Sequence, residues 1–185
     1  MDDQTKALFE ASREGDLTAV VHALNNGADV NFINDDKNTP LVVAISGFGK
    51  ENRRNIVRLL LDNGADPNFL GEENCGVVFQ AVLEKDPIIM EMILSAGANP
   101  NFLMDAGESL YDWAEFDYRF DAFDLSLPYK PTDEDRLSEE SWLAFLEKCA
   151  DSKQVFQPEF LRKLREYGAK TSTEIKKHSN AIKIN

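Results

Sequence analysis

One short phrase recurs along the chain and constrains its fold more than any other feature. It reads GADVNF at residues 27–32, GADPNF at 64–69 and GANPNF at 97–102, with a fainter copy, GAK, at 168–170. The glycines that open the copies are 37, 33 and 71 residues apart (27 to 64, 64 to 97, 97 to 168). A repeat of about 33 residues is typical of stacked architectures in which each unit packs against its neighbours. The spacing therefore predicts a solenoid.

Each of these glycines is preceded by an apolar helical stripe. Residues 56–61 read IVRLLL and residues 89–94 read IMEMIL, with apolar side chains at i, i+1, i+4 and i+5, as on one broad buried helix face. A glycine directly after such a stripe is typical of a helix end that requires positive φ. Shorter helices, each ending near an alanine, are predicted upstream at 8–11, 41–44, 78–81 and 111–114. The pattern predicts an all-α chain of paired helices.

Two segments resemble a known repeat. Residues 38–44 read NTPLVVA and residues 56–68 read IVRLLLDNGADPN. They are similar to the N-T-P-L-H-x-A and I-V-x-L-L-L-x-x-G-A-D-x-N patterns of the ankyrin repeat family, in its small bacterial-type form. The histidine of the family pattern is replaced by Val42 here, and by Phe79 and Asp112 in later copies. The resemblance implies an all-α ankyrin repeat solenoid of four repeats, with a helical insertion in the last.

The resemblance also sets the expected boundaries. We expect a single domain over 1–173, a lengthened loop at 46–52, and an insertion at about 124–157 in which Ser138 begins an extra helix. Residues 174–185 carry three lysines and predict a flexible basic tail. The four repeats are expected at about 4–34, 35–71, 72–104 and 105–173.

The charge of the chain limits its partners. With 33 acidic and 20 basic residues, the formal net charge is −13, and residues 105–151 alone hold 14 acids and four bases. Direct nucleic-acid binding is not expected, because phosphate contacts come from Lys and Arg. No run of about 18 apolar residues predicts a membrane span. Two distant cysteines favour a reduced, cytoplasmic protein, which we expect to be monomeric when free.

In the family, partners bind on the β-turn fingers and the inner helices. Carried over to this chain, every finger holds two acids, which predicts a negative stripe for a basic protein partner, with aromatic anchors beside it. The alternative is that these acids only solvate exposed turns, where Asp is favoured anyway. The predicted partner-binding residues are Asp35, Asp36, Asn38, Val43, Glu72, Glu73, Gln80, Leu83, Glu84, Asp105, Glu108, Trp113, Phe116 and Asp117.

The sequence offers little for catalysis. Its two histidines, His22 and His178, lack a nucleophile and an acid in a recognisable arrangement. Residues 47–50 lack the remaining features of a phosphate-binding loop, and residues 133–135 lack calcium-loop spacing. We therefore predict no catalytic residue, metal or cofactor.

Two functional hypotheses remain, with an enzyme hidden in the insertion as the least favoured reading. The first is a non-enzymatic protein-binding module, in one version an inhibitor or immunity-type protein that masks a basic toxin or nuclease site. The alternative is a structural or regulatory subunit that uses the apolar insertion as a permanent interface. Salt separates the two, because electrostatic steering weakens with ionic strength and an apolar contact does not.

Overall fold

The structure, a computed structural model, describes residues 2–47 and 51–182, with the side chains of 179–182 left aside. Over these residues the chain forms ten α-helices and two 3-10 turns, with isolated bridges but no strand. The predicted all-α architecture is therefore confirmed. The chain divides into two compact units, Met1–Asn99 and Pro100–Asn185, which are described separately. The predicted loop at 46–52, with its Gly-Lys pair, falls partly on residues 48–50, outside the described residues.

The first unit is a double layer of short helices. The first helices of the pairs, α1, α3 and α5, pack side by side, and so do the second helices, α2, α4 and α6. Each pair is therefore in contact with the next at both layers, as expected of a solenoid. The helices are α1 (Asp3–Glu14), α2 (Leu17–Asn25), α3 (Pro40–Ser46), α4 (Arg53–Asp62), α5 (Val77–Leu83) and α6 (Pro87–Ser95).

Side-chain caps begin several of these helices. The Asp2 carboxylate accepts a hydrogen bond from the Thr5 amide at 2.8 Å, which satisfies a backbone donor that the first turn leaves open. Thr39 and Asp86 cap α3 and α6 in the same way, each followed by a proline at the first helical position. There the missing N–H costs nothing. The prediction that Pro87 begins a helix is confirmed.

The recurring asparagine explains why the six-residue phrase repeats. Asn31 donates from Nδ2 to the carbonyl of Gly64 at 2.9 Å and accepts from the amide of Asp66 at 2.8 Å. Asn68 makes the same pair of bonds to the carbonyl of Gly97 and the amide of Asn99. We call this arrangement the asparagine clamp: one amide side chain ties its own turn to the next. The clamped turns need glycine, since Gly64 has φ +86° and Gly97 has φ +95°.

The second unit contains one interrupted helix pair. Its first helix, α7, packs against α9, although α8 intervenes in sequence. The Ser138 hydroxyl accepts from the Ser141 amide at 3.1 Å, which confirms Ser138 as the N-cap of the extra helix. The helices are α7 (Leu110–Phe123), α8 (Glu139–Lys153), α9 (Glu159–Glu166) and α10 (Ser172–Ile182).

The clamp is present in this unit too. Asn101 donates to the carbonyl of Gly168 at 3.0 Å and accepts from the amide of Lys170 at 2.8 Å. Gly168 has φ +79°, like its counterparts in the first unit. The faint copy at 168–170 is therefore a true structural equivalent of the others, although 71 residues separate it from Gly97.

The segment from residue 174, which was expected to be a flexible tail, is helical over most of its length. Residues 172–182 form α10, whose start is held by a hydrogen bond from the Glu174 amide to the Thr171 hydroxyl at 3.2 Å. Glu174 also pairs with Arg165 at 2.9 Å, and Lys176 donates to the carbonyl of Gly107 at 3.0 Å. Capping and ion pairing therefore order a segment that its polar composition marks as loose. Residues 183–185 lie outside the described part of the chain.

A candidate protein-binding surface

The first finger is a tight turn that exposes two acids. The amide of Asn34 donates to the carbonyl of Asn38 at 3.0 Å, and the Asn38 amide returns a bond to the Asn34 side chain at 2.9 Å. Lys37 completes the turn with φ +57°, in the left-handed region. Asp35 and Asp36 stand at the tip, both exposed. The turn is therefore held by its own hydrogen bonds, which leaves both carboxylates available.

The second finger is built in a similar way. The amide of Gly71 donates to the carbonyl of Cys75, and the Cys75 amide donates to the carbonyl of Glu72, both at 3.0 Å. Glu73 and Asn74 adopt positive φ of 55°, a conformation that is unfavourable for residues other than glycine. Glu72 and Glu73 are both exposed. The backbone thus presents two adjacent carboxylates at the finger tip.

A cavity of about 340 Å³ opens beside these two fingers, and we call it the finger pocket. Three of its lining side chains are carboxylates, and none is basic. Val42, which is 7% exposed, contributes an apolar wall. The predicted binding residues include five of the eight lining residues and lack Gly71, Cys75 and Val42, the last of which occupies the family's histidine position. The lining comprises Asp36, Asn38, Val42, Gly71, Glu72, Glu73, Cys75 and Gln80.

Four predicted residues of the first unit do not line the finger pocket. Asp35 is exposed at its finger tip, Val43 is half-buried on α3, and Leu83 is 41% exposed at the end of α5. Glu84 follows α5 and accepts a hydrogen bond from Arg53 at 2.9 Å. Because that guanidinium is only 7% exposed, a bound partner would compete with a buried cation for Glu84.

The third finger belongs to the second unit. The amide of Met104 donates to the carbonyl of Glu108 at 3.0 Å, and the Gly107 amide donates to the carbonyl of Met104 at 2.8 Å. Gly107 supplies the positive φ, +80°, that residues such as Glu73 supply in the second finger. Asp105 and Glu108 are exposed, as the sequence predicts for finger positions.

The helix that follows this finger, α7, presents aromatic rings to its surroundings. Trp113 and Asp117 are half-buried, whereas Phe116 is 50% exposed. Phe120, one helical turn further on, is 53% exposed. The sequence prediction missed Phe120, although its i+4 spacing from Phe116 places both rings on one helix face.

The described residues contain neither a metal cluster nor a membrane span. Over 2–47 and 51–182, no three His, Cys, Asp or Glu side chains converge as a metal site would require. In the same ranges no helix has the length and apolar character to cross a membrane.

The family model for ankyrin repeats matches residues 8–104 in three copies, which is more than half of the chain. The chain belongs to the ankyrin repeat family. A search of curated proteins returns no match to this sequence. Ankyrin repeats are general protein–protein interaction modules and are typically non-enzymatic, so a protein partner is the family's expected ligand.

Proposed function

We propose that this ankyrin repeat protein is a non-enzymatic module that binds a basic protein through its acidic fingers and inner helices. One observation carries the proposal: the finger pocket gathers Asp36, Glu72 and Glu73 without a lysine or arginine among its lining residues. Like charges that share one pocket repel each other, so a cationic group from a partner lowers their energy. The amides of Asn38 and Gln80 add hydrogen-bonding capacity beside them.

The overall charge supports a role that depends on fast association. A net charge of −13 raises the rate of encounter with a basic partner. An acidic surface also imitates the phosphates that a nuclease or similar basic protein binds. The proposal therefore includes an inhibitor or immunity-type role, for a chain that acts in the cytoplasm and is monomeric when free.

A charge-reversal pair tests the finger pocket. Affinity capture from the source cells identifies the partner, which is then purified and titrated against the chain and against the Asp36→Lys/Glu72→Lys variant. We expect that variant to bind at least about tenfold more weakly, a loss of about 1.4 kcal/mol. Affinity should also fall as salt rises from about 50 to 300 mM.

The matched control for this test is Glu10→Lys/Glu14→Lys. It makes the same change in net charge at two exposed positions of α1, away from the fingers. If both variants weaken the partner's affinity equally, the effect would be one of net charge alone. If neither variant changes the affinity, the finger pocket would not be the binding site.

A second candidate function, a structural or regulatory subunit, is favoured by one feature of the second unit. Leu137 is 80% exposed and Phe156 is 56% exposed, both in or next to the segment between α7 and α9. A contiguous patch of such side chains is typical of a surface that a partner covers. Under this function, binding persists at high salt and is weakened by Leu137→Ser instead of by charge reversal of the fingers.

A further inference from the structure

The outward face of α7 is apolar at its centre. Leu110, Ala114 and Tyr118 are buried on one side of the helix. At about 100° per residue, Phe116 and Phe120 project from the opposite side, and half of each ring is exposed. Leu125, just beyond the helix, is 46% exposed. We call Phe116 and Phe120 the α7 face.

The C-terminal end of α7 lacks the basic side chain that usually stabilises a helix terminus. Helix C-terminal carbonyls form a negative pole that lysine or arginine normally offsets. The last turn of α7 contains no basic residue and is followed by Asp124 as its C-cap. Arg119 does not offset this charge, because it pairs with Glu115 at 2.7 Å, one turn back. A cation brought by a partner would stabilise this end of the helix.

The exposed aromatic rings of α7 and the negative charge at its C-terminal end together indicate one kind of occupant. We infer that the α7 face binds an amphipathic basic helix of the partner protein, with apolar residues one turn apart and Lys or Arg beside them. The apolar residues cover Phe116 and Phe120, and the bases meet Asp124 and the carbonyls at the C-terminal end of α7. Apolar anchors at i and i+4 are the usual way in which a helix is held on a complementary surface.

A second copy of this chain is a poorer occupant than a basic helix. The chain carries a net charge of −13, and residues 105–151 hold 14 acids against four bases. Pairing two such faces brings like charges together, which opposes association. The inference rests on the proposed function, since it assumes that the chain binds a basic protein, but it assigns a surface other than the finger pocket.

Three synthetic peptides probe the face directly. The first is a helix-stabilised peptide with leucines at i, i+4 and i+7 and lysines on either side. The second has the same composition with the leucines distributed around the helix, and the third replaces the lysines with glutamate. We expect the first peptide to bind at least about tenfold more tightly than the other two, measured by fluorescence anisotropy.

Variants of the chain connect this binding to the α7 face. Phe116→Ala/Phe120→Ala should lose at least about tenfold in affinity for the first peptide. Ile88→Ala, which removes an apolar side chain that is 44% exposed on α6, should keep it. Circular dichroism verifies folding, and the single change Phe120→Gln repeats the test should the double variant unfold. The finger variant Asp36→Lys/Glu72→Lys should also keep the peptide, so failure of the finger pocket and failure of this inference are distinguishable.

Each contrary result overturns the inference. Equal binding of the first two peptides would show that charge alone attracts them. Equal binding by the chain and by Phe116→Ala/Phe120→Ala would place the peptide elsewhere, and absence of binding would leave the face without the stated occupant. Concentration-dependent self-association that Phe116→Ala/Phe120→Ala abolishes, seen by analytical ultracentrifugation, would make a second copy the occupant.

Discussion

Both units join successive turns by the asparagine clamp, but they use very different lengths of chain between those turns. Between successive clamped glycines the first unit uses 33 residues, from Gly64 to Gly97, whereas 71 residues separate Gly97 from Gly168. Yet Asn68 and Asn101 make equivalent pairs of bonds to the next turn. The clamp joins only the turns, so a long insertion between the two helices of a pair does not disrupt it. A repeat of this kind is defined by its turns more than by its length.

The inserted helix of the second unit, α8, is buried along one face. Leu143, Leu146 and Cys149 of α8 are almost completely buried. The Tyr118 hydroxyl donates to the carbonyl of Phe156 at 3.0 Å, and burial raises the pKa of that hydroxyl, which keeps it protonated as a donor. An inserted helix persists only where it buries enough apolar surface to offset its ordering entropy.

The second unit also leaves more apolar surface uncovered. Among the described residues of the first unit, no large apolar side chain exceeds the 49% exposure of Ile33. In the second unit Phe116, Phe120, Phe156 and Leu137 all do. Leu137 and Phe156 lie in the insertion, which has no neighbouring copy to cover it, whereas Phe116 and Phe120 lie on α7 itself. The second unit is therefore where a partner has apolar surface to bury.

The largest expected effect tests whether α8 belongs to the core. Leu146 is fully buried, so Leu146→Ala should lower the free energy of unfolding by about 2–5 kcal/mol through lost burial and a cavity. Leu60→Ala, at an equally buried position of the first unit, should cost a similar amount. Urea denaturation followed by circular dichroism measures both.

The control for this pair is Leu137→Ala, at a position that is 80% exposed. Its effect should stay within about 0.5 kcal/mol, as for most surface substitutions. A Leu146→Ala variant as stable as the Leu137→Ala variant would show that packing of α8 contributes little to the free energy of unfolding.

The next effect compares the clamps of the two units. Asn68→Ala and Asn101→Ala each remove two hydrogen bonds between turns, so each should lower the free energy of unfolding by about 1–2 kcal/mol. Asn55→Ala, at an exposed position within α4, should have no effect or stabilise slightly, because alanine favours helix. Thermal and urea denaturation would measure the differences. A clear loss of stability for Asn68→Ala with none for Asn101→Ala would show that the two clamps are not equivalent.

The smallest effect concerns pH and α10. The hydrogen bond from Arg165 lowers the pKa of Glu174 to about 2 from 4.5. A carboxylate with a depressed folded-state pKa stabilises the fold above its unfolded pKa, and that contribution is lost as pH falls from about 4.5 towards 2. Because 41% of the Glu174 side chain is exposed, Glu174→Gln should cost at most about 1 kcal/mol at pH 7.

The same measurement repeated across pH supplies the check. The stability difference between the chain and Glu174→Gln should shrink as pH falls from about 4.5 towards 2, where the carboxyl is protonated in the unfolded chain and half protonated in the folded one. A difference that persists unchanged at that pH would show that the Gln substitution acts through something other than the ion pair with Arg165.

Much of the fold was predictable because its determinants are local. Pro87 and Ser138 begin helices where the sequence indicates, since a proline at the first helical position and a serine N-cap act within one turn. The role of Asp112 was not predictable. It occupies the family's histidine position, and its carboxylate accepts from the amide of Ser172 at 2.8 Å, sixty residues later. Only the fold brings those two residues together.

The candidate site divides in the same way. Family spacing was enough to predict Asp36, Glu72 and Gln80, because finger positions follow from the repeat period. Sequence alone did not distinguish them from Glu84, which is engaged by the buried Arg53. Phe120 was missed because an apolar residue in a helix normally suggests core, and its 53% exposure is a property of packing.

By itself, the sequence determined the period, the glycine turns, the helix caps and the sign of the charge, since each depends on residues close together in the chain. Tertiary structure decided that Gly168 takes up the clamp of Asn101, that 172–182 form a helix, and which carboxylates share a pocket. These outcomes depend on contacts between residues far apart in sequence. The free energy of such a contact exists only once the rest of the fold has brought its partners together.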